Sequence, residues 1–298
     1  MTKDDFKNFV ESNQHLVTMK ETSIPDVFVL KYKKKVFYDN LWNDFLEDCR
    51  GTLVDKDFNL ISRPFRKIYN FNVEVKAPKL TDDTPITAMR KVNGFMVAVT
   101  WHNGDVLVST TGSTDSPYVQ MAKDSMDMEQ MRRATSATAE FTWLFECVHP
   151  NDPHIIPEEP GLYLLGMRSK TWDIDLLIYD DYSLSTTAKH FGFRTVETFR
   201  TTVGELVKLS KTVKHEGFVA YTEDKQSFKI KSPYYLIKKF VARNPRTDKL
   251  MDLNKDIKHN IDEEYHNLID AIRLNIVEYT AMTEQARLGW VSQFLETN

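Results

Sequence analysis

Cysteine is nearly absent: Cys49 and Cys147 are the only two in 298 residues, they lie far apart, and neither has partners at metal-ligand spacing. A cysteine-built metal site is thereby excluded, and the expected setting is reducing and cytoplasmic. Long apolar runs are missing as well. No stretch approaches the roughly 20 apolar residues that span a bilayer, so no membrane association is expected. The opening segment Met1 to Lys7 mixes charges without an apolar core, so secretion is not expected either. The chain has no internal repeats, no low-complexity tract, and no G-x-x-x-x-G-K-[ST] phosphate loop. Nor is there a large charge of one sign. A net charge of −4 gives no global attraction for a polyanion, so any such surface must be a local basic patch.

What is present reads as a globular chain, 41% hydrophobic and 28% charged, with 18 Phe, 12 Tyr and 5 Trp. Its length allows one large domain or a domain with an appendage. Phe6, Phe9 and Val10 share one helical face near the start, within residues 3 to 20. Val27 to Tyr32 reads as a strand, followed by Lys33-Lys34-Lys35, a run suited to a solvated edge or to phosphate contact. Residues 76–87 hold Pro78 and Pro85 and read as a loop. Phe95 to Trp101 and Val106 to Thr111 flank an Asn103-Gly104 turn and predict a hairpin. A helix is expected near 124–133, strands at 141–148, 162–167 and 174–179, and helices at 185–192 and 202–211. Gly217 to Thr222 and Ser227 to Ile230 predict a second hairpin. From Pro233 onward the spacing of Ile261, Tyr265, Leu268, Ile269 and Ile272 is helical.

The residues that can carry chemistry are basic or acidic groups in strand-like runs. Lys91 precedes Asn93-Gly94 and a strand, a position from which a primary amine can reach an electrophile. Glu146 is a lone carboxylate inside Trp143-Leu144-Phe145-Glu146-Cys147-Val148, so it should face a polar cleft or a cation. Glu216 leads into Gly217-Phe218-Val219. Lys229 and Lys231 stand two residues apart and therefore share one face of their strand. Arg63, Arg66 and Lys67, interleaved with Phe65, Tyr69 and Phe71, suggest either an anion-facing surface or a basic rim over a core strand.

Taken in order, Lys91-x-Asn93-Gly94, Phe145-Glu146, Glu216-Gly217-Phe218-Val219 and Lys229-x-Lys231 resemble the covalent nucleotidyltransferases, which include ATP-dependent ligases and mRNA capping enzymes. Cys49-Arg50-Gly51, Ser62-Arg63-Pro64 through Lys67, and Phe228 to Ser232 resemble most the RNA ligase 1 family of tailed phages. The likeness covers roughly residues 27–236. It implies an α+β fold: an adenylyltransferase domain of antiparallel sheets flanked by helices at 1–232, with a small helical segment at 233–298. It implies that Lys91 attacks ATP to form lysyl-AMP, that AMP passes to an RNA 5′-phosphate, and that a 3′-OH then displaces it. Lys229 and Lys231 would grip the α-phosphate, Glu146 the ribose, and Val219 the adenine. Arg50 and Lys67, with Tyr32 beside them, would hold the β- and γ-phosphates. Glu216 would help hold Mg²⁺ or Mn²⁺.

The partners so implied are single-stranded RNA ends, the host cytoplasm is the setting if the chain is phage-encoded, and a monomer is expected. Lys238, Lys239, Arg243 and Arg246 follow the last lysine motif and form a basic patch suited to the RNA backbone. The helical segment is short beside the phage family's longer one, which leads to an expectation of unstructured RNA ends rather than tRNA. Two departures stand out. Thr111 precedes Gly112-Ser113 where the family has a lysine, and Asn93 replaces an aspartate common in many ligases and capping enzymes. Two other readings are a DNA ligase or capping guanylyltransferase, which usually carries an OB-fold after the last motif, and a non-catalytic RNA-binding protein.

Overall fold

The computed structural model describes residues 1–179, 181–243 and 257–297. Contacts divide the chain into two compact units. The first comprises Met1–Tyr69, Gly94–Asp152 and Glu158–Phe199, and the second Asn70–Asn93, Pro153–Pro157 and the chain from Arg200 onward.

The first unit holds two sheets. One is a four-stranded antiparallel sheet in the order Val17–Glu21, Phe28–Tyr32, Arg50–Val54, Leu60–Ser62. Helix Lys3–Ser12 precedes it, started by a reciprocal Thr2/Asp5 cap and burying Phe6 and Val10 as the periodicity implies. Strand Val17–Glu21 escaped the sequence reading because only Val17 is buried, so it shows no alternation. The run Lys33-Lys34-Lys35 is not an extended edge. Lys33 caps a short helix, Lys34–Tyr38, anchored by buried Val36.

The other sheet has Phe95–His102 and Asp105–Thr110 as its hairpin, with Phe141–Val148, Gly161–Ser169 and Leu177–Ile178 beyond, and Arg194–Thr195 pairing with the 161–169 strand. His102 faces Asp105, so the loop has two residues, and Asn103 and Gly104 both take positive φ, at 51° and 82°. That is the backbone which an Asn-Gly turn is suited to adopt. The single helix expected near 124–133 is two, Pro117–Asp124 and Met128–Ala137. Asp127 separates them and accepts hydrogen bonds from the Glu129 and Gln130 amides. The strand expected at 174–179 is reduced to Leu177–Ile178.

An ion cluster lies inside this unit. Asp48, fully buried, takes Arg63 at 3.2 Å and Arg168 at 2.7 Å. Arg168 also grips Asp175 through two nitrogens at 2.7 and 2.6 Å. Arg63 is thus a core residue, and the anion-facing reading is wrong for it: its guanidinium is buried and its charge is spent on Asp48. Arg66 pairs with Asp44 and Glu47 at 3.0 and 3.2 Å.

A five-stranded sheet, its three central strands in the second unit, runs Thr198–Thr202, Pro85–Arg90, Gly217–Thr222, Ser227–Lys231, Tyr69–Asn70. Residues 85–87, expected as loop, begin a strand. Proline is tolerated there as the first strand residue. Helix Val203–Ser210 starts with a reciprocal Thr202/Glu205 cap. The C-terminal segment is helical as expected, with Pro233–Arg243, His266–Leu274, Ile276–Ala281 and Glu284–Thr297 enclosing Ile237, Val241, Leu268, Ile269, Ile272, Tyr279 and Val291. Among the described residues no helix is long and apolar enough to cross a membrane.

Removing Asp48 would leave two buried guanidinium groups without their shared carboxylate. We expect Asp48→Ala to lower the unfolding free energy by about 3–5 kcal/mol, measured by chemical denaturation.

Candidate active site

The geometry of the second unit follows from its strand directions. Pro85–Arg90 and Ser227–Lys231 both pair antiparallel with Gly217–Thr222. The C-terminal ends of the two outer strands therefore meet the N-terminal end of the central one. Gly217 lies opposite Lys231, and the Lys91 amide donates to the Gly217 carbonyl at 2.9 Å. One level along, Val219 lies between Met89 and Lys229. Residues directly opposite share a face. Lys91 and Lys231 thus flank Gly217, and Lys229 flanks Val219, which is half-buried.

Gly217 is required at this spot. Its φ is +130°, and a Cβ would stand 2.0 Å from the Ile230 carbonyl oxygen; no L side chain fits. Gly94, in the first unit, is similarly constrained, with a Cβ position 2.2 Å from the Cys147 carbonyl oxygen and 3.2 Å from the Glu146 side chain.

Glu216 is the centre of the second unit's constellation and is only 3% exposed. One carboxylate oxygen takes the Lys91 ammonium at 3.0 Å and the Asn93 side-chain amide at 2.7 Å; the other takes Lys231 at 3.1 Å. Burial pushes the Glu216 carboxyl up, yet Lys91 and Lys231 together outweigh it and hold the group below the usual carboxylate range. For Lys231 the balance is opposite. Burial depresses its ammonium more than Glu216 restores it, with Lys239 and Lys91 adding repulsion. Tyr235 lies beneath Lys231, with the amine 4.7 Å from the ring centroid. Burial, with Glu216 nearby, pushes that phenol up to about 12.

Asn93 does more than shape the turn. Its carbonyl oxygen accepts from the Ile156 amide at 3.0 Å while its amide donates to Glu216, so both ends of the side chain are used. Its role, like that of Tyr235, is not visible in the sequence; Tyr235 lies in helix Pro233–Arg243, which starts two residues after Lys231.

The first unit carries the other residues singled out. Glu146 is 8% exposed and accepts from the Gly94 amide at 3.1 Å. Lys67 is nearly buried between aromatic faces, 4.8 Å from the Trp42 centroid and 4.3 Å from that of Tyr69. Tyr32 packs edge-on against Trp42 at 4.6 Å, and Tyr69 donates to Glu47 at 2.7 Å. Arg50 opens strand Arg50–Val54 opposite Lys31. Tyr32, Trp42, Lys67 and Tyr69 thus form one aromatic seat around a single ammonium.

The basic patch expected after the last lysine motif is only partly realised. Lys238 is 2% exposed, its amine 5.1 Å from the Tyr234 centroid, so it is no member of a solvent-facing patch. The helix turns it inward. Arg243 pairs with Glu284 at 2.6 Å. Lys239 is exposed, and Arg246 lies outside the described residues. Among the described residues no three His, Cys, Asp or Glu side chains group as metal ligands.

This constellation holds a primary amine beside a carboxylate and a second ammonium, groups able to position and neutralise a phosphoryl group. Comparison with known proteins gives the same direction. The RNA ligase family profile matches residues 48–235, more than half of the sequence, and the chain belongs to that family. The RNA ligase 1 of bacteriophage TS2126 is 32% identical over 136 residues, covering 41% of this chain and 34% of that protein. The chain therefore spans about a third of that relative's length. Among solved structures, an archaeal ATP-dependent RNA ligase aligns over 96% of this chain and 75% of its own, with a TM-score of 0.57 and 15% identity. A chain from Aquifex aeolicus, provisionally described as an ATP-dependent DNA ligase, aligns over 97% and 77%, with a TM-score of 0.55 and 16% identity. At such identities the structural likeness speaks for the α+β ligase fold.

Because the Glu216 carboxyl is depressed in the folded state, it contributes stability above its ordinary value of 4.5 that is lost as pH falls through the folded value. We expect Glu216→Gln to lack this component. Its unfolding free energy should decline less than wild type between neutral and acid pH in denaturant titrations.

Proposed function

We propose that this chain is an ATP-dependent RNA ligase that joins a 5′-phosphate to a 3′-OH on single-stranded RNA through a lysyl-AMP intermediate. The observation that carries the reading is Glu216 held between Lys91 and Lys231, each at the matching position of the family's motifs. Residues 1–232 would form the adenylyltransferase part and 233–298 a helical appendage.

In the first step the Lys91 amine attacks the α-phosphorus of ATP. A P–N bond forms, the bond to pyrophosphate breaks, and the amine loses a proton. Glu216 holds Lys91 as an ammonium, so the pair must open before the amine can act. Lys231 places positive charge beside it, which disfavours the ammonium, and Lys231 and Lys229 would stabilise the charge developing on the phosphate. Glu146 would hold the ribose, Val219 the adenine, and Arg50, Lys67 and Tyr32 the leaving pyrophosphate. AMP then moves from Lys91 to the 5′-phosphate of RNA, and attack by the 3′-OH releases it as the phosphodiester forms.

With no cluster of three ligating side chains among the described residues, Mg²⁺ or Mn²⁺ would rest on Glu216 together with nucleotide oxygens and water. Magnesium is commonly held in that way. Such an ion would neutralise charge on the phosphates.

A capping enzyme or DNA ligase with an OB-fold after the last motif is disfavoured by the helices that follow Lys231. A non-catalytic RNA-binding role leaves the Lys91, Glu216 and Lys231 arrangement without a use.

We expect ATP and a divalent ion to label the protein with AMP through an acid-labile bond, and Lys91→Ala to abolish the label. Lys229→Ala and Lys231→Ala should each slow labelling by about 10²–10³, measured by single-turnover assay. Near-normal labelling in both would reduce the two lysines to a solvated strand face. For substrate class, 5′-phosphorylated RNA oligonucleotides should be joined in preference to DNA of the same sequence, and equal joining of both would remove RNA from the proposal.

A further inference from the structure

Lys31, a cation outside the motif residues, lies in the first unit beside Arg50. Lys31 and Arg50 are cross-strand partners on Phe28–Tyr32 and Arg50–Val54, beside a bulge that falls between Leu30 and Lys31. Among the described residues no carboxylate forms an ion pair with Lys31, which is exposed.

The Lys31 side chain reaches over a particular turn. Its Nζ stands 3.1 Å from where a Cβ on Gly112 would be. The same turn touches the Arg50 strand, since a Cβ on Gly51 would meet the Thr111 Cα at 2.7 Å. The turn is closed by the Thr110 amide donating to the Ser113 carbonyl at 2.9 Å. Lys31, Arg50 and Thr111-Gly112 are therefore one locus: two cations from neighbouring strands and a glycine that leaves room for Lys31. Thr111 is also the position where a lysine is usual and is missing here. A lysine arriving from Phe28–Tyr32 places an ammonium over the adjoining residue.

We propose that Lys31 is a positioning residue for the β- and γ-phosphates of ATP, acting with Arg50 and supplying the positive charge that Thr111 lacks. This deepens the ligase reading and rests on it. Lys31 sits on a sheet strand, so its reach is set by the backbone register. Its charge would act on the triphosphate in the ground state and as pyrophosphate departs. Once AMP is on RNA no pyrophosphate remains, and Lys31 has no part in sealing.

The test compares wild type, Lys31→Ala, Lys31→Arg and Lys31→Ala combined with Thr111→Lys in two assays: self-adenylation over a range of ATP concentrations, and sealing of pre-adenylated RNA without ATP. A charge-assisted phosphate contact at an exposed site should be worth about tenfold in half-saturating ATP. We expect that increase in Lys31→Ala, with near-wild-type sealing. Lys31→Arg should retain most of the affinity, and Thr111→Lys should restore it in the absence of Lys31.

Unchanged ATP dependence in Lys31→Ala, while wild type adenylates normally, overturns this inference and leaves the ligase reading standing. Equal losses in both assays also overturn it, since they mark a structural role. A wild-type protein that takes no AMP sinks both.

Discussion

Two lysines share one buried carboxylate, and the second unit's constellation depends on that sharing. Glu216 would be costly to bury alone, and Lys91 and Lys231 would repel each other without it. Asn93 completes the set by donating to the same oxygen that Lys91 uses. An aspartate at position 93 would instead set a second carboxylate against the first, and one of the two would need a proton or a cation between them. Asparagine keeps the contact and removes that demand. The departure from the common aspartate is thus a change in the charge balance around Glu216 rather than a change of shape.

Aromatic rings and backbone amides add a second kind of contact to several of these groups. Lys67 is seated between Trp42 and Tyr69, Lys231 over Tyr235, and Lys238 over Tyr234. Each amine lies over the face of an aromatic ring, which attracts a cation. Such seating restricts where each amine can move. Glu146 accepts from the Gly94 backbone amide.

Much of this was legible in the sequence, for identifiable reasons. Both hairpins could be read because alternation and turn chemistry agree, with Asn103-Gly104 adopting the backbone its residue types favour. The lysine motif gave the shared face of Lys229 and Lys231 because strand period is two. What stayed hidden depends on contacts between distant segments. Arg63 looks surface-exposed until Asp48, Arg168 and Asp175 are brought to it. Lys238 looks like part of a basic stripe until the rotation of its helix is known, and Lys31 acquires its neighbour only when strand register pairs it with Arg50.

Antiparallel pairing has one more consequence. Lys91, Glu216 and Lys231 come from the adjoining ends of three neighbouring strands, so their meeting requires all three to be in register. A slip by one residue turns every side chain of a strand to the opposite face, and would separate the carboxylate from one amine or both. On the ligase reading, the fraction of a preparation able to accept AMP is then a count of correctly paired sheets. A covalent label would serve as a chemical assay of folding for a hairpin that spectroscopy sees only as average strand content.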